Sequence, residues 1–196
     1  HSFGWPADSH TYGGSFLYHL DKGRIALGYV SGLDYRDPDY KPWEAFQQWK
    51  NHPMVKPLLE GGTIVSAGAR AIVTGGYQSL PKVEMPGALL IGDTAGLLNV
   101  PKVKGTHQAI RSGMLAAEHL AQSLSSEGFD AKLRASDAMA ELKKVRNIKP
   151  AFKRGLWFGM LNAAWETVTG GRSPWTLKNK ADWSSLQNRG EAEQPK

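Results

Sequence analysis

The sequence predicts a mixed α+β and α/β fold, with an antiparallel sheet lobe first and a helical region after it. Three patterns lead to this prediction: an alternating hairpin pattern over residues 16–30, an apolar strand at 88–91 that leads through a loop into a long helix, and an apolar helical segment with basic flanks at 152–165. With 196 residues and 41% hydrophobic residues, the chain is long enough to bury a core.

The first region reads as a sheet lobe with one helix. Apolar stretches flank a turn at residues 21–23, which predicts a β-hairpin. Trp43, Phe46 and Trp49 recur at helical spacing behind a proline, and this predicts a helix over 43–49. Two further strands are predicted at 63–66 and 69–73, in a region with a pair of glycines at each end. We therefore expect residues 1–85 to form one lobe.

Two glycines near the start of this lobe indicate a slot for a flat ligand. Tyr12 precedes Gly13 and Gly14, and Phe16 follows in the strand. Bare backbone would let a quinone head lie close, with backbone N–H groups as donors and the aromatic rings as apolar walls. A Gly-Gly pair taken alone is more often only a turn.

The most informative stretch runs from the strand at 88–91 into the helix after Gly105. Gly92 lets the backbone turn, and Asp93 stands where a strand of an α/β sheet places its ligand contacts, so its carboxylate can accept bonds from sugar-like hydroxyls. Thr106 opens a helix whose free N–H groups suit an electron-rich ring carbonyl. Each feature alone also fits an ordinary turn or helix cap. Their order favours a flavin, with residues 86–128 as half of its domain.

The last region is predicted to be helical and to lie on a membrane surface. A helix is predicted at 130–145, and residues 129–186 carry the apolar segment. Between residues 146 and 180 seven basic residues face one acidic residue, while the whole chain carries +6. Aromatic and aliphatic side chains with cationic flanks can lie in the bilayer interface, although a packed core helix explains the same composition. The expected membrane contacts are Leu156, Trp157, Phe158 and Leu161.

Composition limits the other classes of function. No apolar run reaches the eighteen or so residues of a spanning helix, so a peripheral, non-spanning association is expected. Nucleic acid explains the charge poorly, because bulky aliphatics interleave with the basic residues. No histidine spacing indicates a metal site and no acid-base catalyst stands out. Residues 187–196 read as a loose polar tail.

Several segments, in order and in register, resemble the electron transfer flavoprotein-ubiquinone oxidoreductase family from about residue 4 to 186. The segments that carry the resemblance are GWPADSHTYGGSFLYHL, GARAIVTGGYQSLPK, ALLIGDTAGLLNVPKVKGTHQAIRSGMLAAEHL, KKVRNIKPAF and PWTLKNKADW. The resemblance implies a glutathione-reductase-like FAD-binding fold with a quinone lobe and a membrane-surface segment. It further implies electron transfer from electron transfer flavoprotein, through FAD and a 4Fe-4S cluster, to ubiquinone at a mitochondrial inner or bacterial cytoplasmic membrane.

The resemblance also implies roles for individual residues. It makes Tyr12, Gly13 and Gly14 the contacts of the quinone head. It places six residues at the flavin, with Asp93 at the ribityl chain and Thr106 beside the ring: Gly92, Asp93, Val103, Lys104, Gly105 and Thr106.

Two features that the family implies are missing from the sequence. The chain contains no cysteine, so it cannot ligate the cluster through thiolates, and it carries no Gly-x-Gly-x-x-Gly fingerprint. We therefore expect an internal piece of a longer protein. Two other readings stay open: a flavin-dependent hydroxylase or dehydrogenase of similar fold, and a cofactor-free peripheral membrane module.

Overall fold

The computed structural model describes residues 1–188 and divides the chain into two compact units. One comprises His1–Gly68 with the described residues from Lys180 onwards, and the other comprises Ala69–Asn179. Most of the tail predicted at 187–196 lies outside the described residues. The four segments predicted above (1–85, 86–128, 129–186 and 187–196) were assigned by their expected ligands, and these assignments stay predictions.

The first unit is built on a three-stranded antiparallel sheet in the order β1-β2-β3. The strands are β1 (Ser2–Phe3), β2 (Gly13–Leu20) and β3 (Arg24–Ser31). The predicted hairpin is confirmed, because Leu20 pairs with Arg24 across the short turn. Lys22 and Gly23 both adopt positive φ there, at 62° and 67°, a conformation that glycine takes without steric cost.

The predicted helix after Pro42 is also confirmed. Helix α1 spans Pro42–Lys50, with the proline in its first turn, where no backbone N–H is needed. Glu44 in the first turn and Lys50 in the last complement the helix dipole. A short helix, α2 (Lys56–Leu59), follows.

The strands predicted at 63–66 and 69–73 are wrong. Residues 62–75 carry no regular secondary structure. A strand is stabilised by a hydrogen-bonded neighbour, and none of the described strands pairs with these residues. Ile64 and Val65 are instead 83% and 82% exposed. The β-forming composition of the stretch could not show that a partner was missing.

The second unit combines helices with a two-stranded antiparallel sheet. Its strands are β4 (Glu84–Met85) and β5 (Ala88–Leu89), and its helices are α3 (Thr106–Ser123), α4 (Phe129–Arg134), α5 (Asp137–Lys144), α6 (Ile148–Phe152) and α7 (Leu156–Val168). The helix expected after Gly105 is confirmed, whereas the strand expected at 88–91 shortens to β5. Every strand pair among residues 1–188 is antiparallel. The glutathione-reductase-like sheet stays a prediction.

The single helix predicted at 130–145 is wrong, because the chain forms α4 and α5 with a break between them. Ser136 begins the second helix as its N-cap, and its hydroxyl accepts a bond from the backbone N–H of Met139. A serine side chain competes with the backbone bonds of a continuous helix and is favoured at a cap.

The core of the second unit lies between its loops and α3, α4 and α5. Eight buried side chains form it: Val83, Ala95, Leu97, Ala116, Phe129, Leu133, Met139 and Leu142. Phe129 and Leu133, on α4, are completely buried. The residues predicted to bind flavin lie in two segments, 92–93 and 103–106, separated in sequence by the core residues Ala95 and Leu97.

Candidate functional site

The two glycines of the expected quinone slot lie on opposite faces of the hairpin. Gly13 pairs with Ser31 and Gly14 with Val30. Because side chains alternate along a strand, Gly14 shares its face with Phe16 and Gly13 does not. A Cβ atom at Gly13 would overlap the carbonyl oxygen of Val30. The sheet itself therefore requires glycine at position 13, whatever ligand binds.

The face that carries Gly14 is lined by apolar side chains. The ring of Phe16 lies across Gly28, since a Cβ atom at Gly28 would overlap the ring. Tyr18 continues this face, with its ring centroid 5.4 Å from that of Phe16, and is half-exposed. Val30 is 51% exposed on the same face. This face therefore combines a glycine with aromatic and aliphatic side chains.

Tyr12 lies at the start of this face and is held by its backbone. Its carbonyl oxygen accepts a bond from the N–H of Gly32 at 2.6 Å. Burial raises the pKa of the half-buried phenol above its ordinary value of 10.0. The phenol therefore keeps its proton at neutral pH and has the chemistry of a hydrogen-bond donor to a carbonyl.

The start of the expected flavin site packs tightly against α3. The backbone N–H of Gly92 donates to the hydroxyl of Ser112 at 3.0 Å. A Cβ atom at Gly92 would lie 3.1 Å from the Cβ of Ala109, and its φ is +59°. Two small residues on α3 and a glycine with left-handed φ thus bring the loop against the helix.

Asp93 meets the start of α3 at Gly105. The Asp93 side chain is exposed, and a Cβ atom at Gly105 would lie 2.8 Å from its Oδ1. No side chain caps the first turn of α3, and Thr106 is exposed there. An exposed carboxylate beside an uncapped helix start, over glycine, fits the hydroxyl chain and ring edge of a flavin. The structure thus places Asp93 beside Gly105 at the start of α3, and the contact of these residues with a flavin stays a prediction.

Val103 and Lys104 lie in the remaining part of this site, which we call the flavin loop (residues 99–106). Asn99 and Lys104 exchange backbone hydrogen bonds of 3.1 and 3.3 Å, which close the loop. Val103 is 84% exposed and has φ of 52°. A β-branched residue in the left-handed region is strained, and such strain persists only where the surroundings impose it.

Glu141, on α5, is the residue that holds this loop, and the sequence did not reveal it. Its carboxylate accepts hydrogen bonds from five side chains on the loop and on α3: Asn99, Lys102, His107, Gln108 and Arg111. The hydrogen bond from the Lys102 ammonium, with those from Asn99 and His107, lowers the pKa of Glu141 from 4.5 to about 2, against the opposing effect of partial burial. These donors lie 30 to 42 residues away in sequence, so no local motif connects them.

Helix α7 exposes its large apolar side chains and buries two polar ones. The four expected membrane contacts are exposed by 50%, 76%, 41% and 73% in chain order: Leu156, Trp157, Phe158 and Leu161. By contrast, Asn162 and Glu166 are buried at 9% and 2% exposure. This reversal of the usual helix pattern produces an exposed apolar surface.

Two further observations concern membranes and metals. Among residues 1–188, no helix is both long enough and apolar enough to cross a membrane. Within the same residues, no three histidine, aspartate or glutamate side chains come together as a metal site would require.

Comparison with known proteins gives one family model, for the first part of the chain, and relatives that match most of it. Residues 1–72, which carry the hairpin and its glycines, match the family model described as ETF-QO, ubiquinone-binding. The chain is 48% identical to the mitochondrial electron transfer flavoprotein-ubiquinone oxidoreductase of Sus scrofa, over 92% of this chain and 32% of that protein. It belongs to the electron transfer flavoprotein-ubiquinone oxidoreductase family.

Relatives from two other organisms belong to the same family. The mitochondrial enzyme of the same name from Homo sapiens is 47% identical over 95% of this chain and 33% of its own length. That from Arabidopsis thaliana is 48% identical over 93% of this chain and 30% of its own length. The chain thus spans about a third of the length of these relatives.

Proposed function

We propose that this chain supplies the quinone lobe and part of the flavin site of an electron transfer flavoprotein-ubiquinone oxidoreductase. The observation that carries the proposal is the ubiquinone-binding match over residues 1–72, which includes Tyr12, Gly13 and Gly14. The complete protein takes electrons from reduced electron transfer flavoprotein and passes them to ubiquinone.

The quinone head lies on the Gly14 face of the hairpin. Gly14 has no side chain of its own to exclude a flat ring, and Phe16, on the same face, supplies an apolar wall. Tyr12 offers a protonated phenol at the edge. Gly13 contributes by letting β2 and β3 approach closely, because its missing side chain leaves room for the Val30 carbonyl.

FAD would be held at the start of α3. Asp93 would accept bonds from the ribityl hydroxyls, and Gly105 and Thr106 would offer backbone and a hydroxyl to the ring, with Val103 and Lys104 in the same loop. Gly92 would contribute by letting Asp93 approach α3 closely. When bound, a flavin accepts and releases electrons singly or in pairs, which suits transfer between a flavoprotein and a quinone. The chain itself orients the cofactor and needs no acid-base residue.

The iron-sulfur cluster takes its ligands from outside this chain, which contains no cysteine. The complete protein lies peripherally on the inner mitochondrial or bacterial cytoplasmic membrane. The exposed apolar side of α7 supports this placement, because it would bring the enzyme to the lipid phase that dissolves ubiquinone.

The proposal is tested by purifying the full-length protein from membranes. Visible and low-temperature EPR spectra are recorded before and after adding reduced electron transfer flavoprotein, and again after adding ubiquinone. A flavin and a reducible four-iron cluster, both reoxidised by ubiquinone, are expected. Flavin without a cluster would favour the hydroxylase or dehydrogenase alternative, and absence of flavin would favour the cofactor-free membrane module.

A matched pair of variants tests the quinone face. Gly14→Ala adds a methyl group to the face on which the ring is proposed to lie, whereas Gly68→Ala places one in open space. We expect the first to raise the KM for ubiquinone about tenfold with the flavin spectrum unchanged, and the second to leave both unchanged. Equal KM values for the two variants would contradict the assigned face.

A further inference from the structure

Both carboxylate oxygens of Glu141 accept hydrogen bonds, and the donors lie on two elements, the flavin loop and α3. Oε1 accepts from Asn99 Nδ2 and Lys102 Nζ, both at 2.8 Å, and from His107 Nε2 at 3.2 Å. Oε2 accepts from His107 Nε2 at 3.3 Å. It also accepts from Gln108 Nε2 at 3.1 Å and Arg111 Nη1 at 3.3 Å. An ionised carboxylate only accepts hydrogen bonds, so His107 carries a proton on Nε2.

These contacts lie on both sides of the exposed part of the flavin loop. Asn99 and Lys102 precede Val103, and His107 follows Thr106. Between them, Val103 holds a left-handed φ of 52° that a valine does not adopt freely. Glu141 therefore fixes the two ends of a strained segment, and α5 is the support to which both ends are tied.

Glu141 also balances charge beside the loop. Three of its partners, Lys102, His107 and Arg111, are cationic or can become so. Charge-assisted bonds are stronger than neutral ones, and a partly buried carboxylate among cations is screened less than one in open water. Without the carboxylate, the neighbourhood of the loop gains net positive charge.

We propose that Glu141 is a positioning residue for the flavin: it fixes the conformation of the flavin loop and lowers the positive charge next to the cofactor. The inference rests on the proposed function, because it assumes that FAD binds at this loop. It makes two separable predictions, one about the mobility of the loop and one about the flavin potential.

The test uses Glu141→Gln in the full-length protein, with Glu118→Gln as the matched control. Glu118 is an exposed carboxylate on α3, and the structure gives it no hydrogen bond or ion pair within residues 1–188. Hydrogen exchange of the amides at 99–107 is measured with FAD present and after its removal. The midpoint potential of the bound flavin is measured by redox titration.

Glu141→Gln is expected to speed exchange in the loop about tenfold and to shift the flavin potential to a more positive value. A reduced flavin carries more negative charge, so it is favoured by uncompensated cations. Glu118→Gln is expected to change neither quantity. If Glu141→Gln matches the control in both measurements while FAD is bound, the inference is overturned and the proposed function stands.

Lys102→Met provides a second variant if Glu141→Gln does not fold. It removes one cation while Glu141 keeps its bonds to α3. The flavin potential is then expected to move in the opposite direction, to a more negative value, with faster exchange confined to the loop. A shift of the same sign in both variants would overturn the electrostatic part of the inference. If the unsubstituted protein holds no FAD, the proposed function fails, whereas exchange in the cofactor-free protein still decides whether Glu141 fixes the loop.

Discussion

Asn147 donates its side-chain amide to Glu166 Oε1 at 2.8 Å, and both side chains are buried. The same amide nitrogen donates to the carbonyl of Trp175, and Asn147 Oδ1 accepts from the N–H of Leu177 at 2.8 Å. The carbonyl of Asn147 accepts from Asn162 on α7. One asparagine thus ties α7 and residues 175–177 to the start of α6.

Asn147→Ala is expected to lower the free energy of unfolding by about 2–4 kcal/mol, because it removes three hydrogen bonds and leaves a buried carboxylate with fewer partners. Denaturant unfolding measures the change. Gln122→Ala, which removes an exposed amide from α3, serves as the control and should change stability by less than about 0.5 kcal/mol. A loss below about 1 kcal/mol at Asn147 would contradict the role of this network.

The contacts of Glu141 predict a pH dependence of stability. Its pKa is about 2 in the folded protein, below its ordinary value of 4.5, so folding favours the ionised form. The stabilisation is therefore complete above about pH 4.5 and is lost as the pH falls towards 2. Bonds from the Lys102 ammonium and the Arg111 guanidinium act on the same carboxylate.

The comparison with Glu141→Gln isolates this carboxyl from the others that titrate in acid. At pH 5 we expect the wild-type chain to be more stable than the variant by about 1–3 kcal/mol. The gap should narrow by pH 3, because Glu141 of the unfolded wild-type chain then binds a proton, whereas the folded protein still holds it ionised and glutamine does not titrate. Urea unfolding at the two pH values gives both differences. A gap that is constant across this range would show that the charge of Glu141 does not contribute.

Features that depend on neighbouring residues could be predicted from the sequence, whereas features that depend on residues far away in the sequence could not. The hairpin and α3 follow from local patterns, such as the turn before Arg24 and Gly105 at the helix start, and both are confirmed. The strands predicted at 63–66 and 69–73 fail because a strand needs a partner that composition does not reveal. Glu141 could not be found, because its nearest donor in sequence is Arg111, 30 residues away.

For the apolar segment at α7, the sequence could not predict which side of the helix is exposed. Trp157 and Leu161 are compatible with either a buried or an exposed helix, because apolar residues occur nearly all round it. Only the structure distinguishes these cases, by placing Asn162 and Glu166 inside. The contact of α7 with a membrane stays a prediction.

Leu124 ends α3 in the left-handed conformation, with φ of 50°, and its side chain is 91% exposed. Glycine avoids the steric cost of this conformation, which is about 1–2 kcal/mol for other residues, although it loses more entropy on folding. Leu124→Gly is therefore expected to stabilise the second unit by about 0.5–1 kcal/mol and to raise its melting temperature by a few degrees. Leu124→Ala is the control, since it shortens the side chain but keeps the Cβ; equal melting temperatures for the two variants would exclude this explanation.

Gly13 and Gly14 are expected to differ when each is changed to alanine. At Gly13 the new Cβ would overlap the Val30 carbonyl, so Gly13→Ala should destabilise the first unit by about 1–3 kcal/mol, as overpacking does. Loss of quinone reduction in this variant would accompany loss of the sheet, visible by circular dichroism. If Gly13→Ala keeps full stability, the close approach of β2 and β3 does not depend on glycine.

Trp157 is the most exposed of the expected membrane contacts, at 76%, and it lies in the first turn of α7. Trp157→Glu would bring a charge into the interfacial layer and remove a large apolar ring, so binding of the full-length protein to anionic phospholipid vesicles should weaken about tenfold or more. Sedimentation with vesicles of phosphatidylcholine and phosphatidylglycerol measures the partition. Leu124→Glu makes the same change of charge at an exposed apolar residue that follows another helix, α3, and it should bind as the wild type does. If both variants lose binding equally, net charge and not α7 governs the association; if neither does, the apolar side of α7 does not meet the membrane.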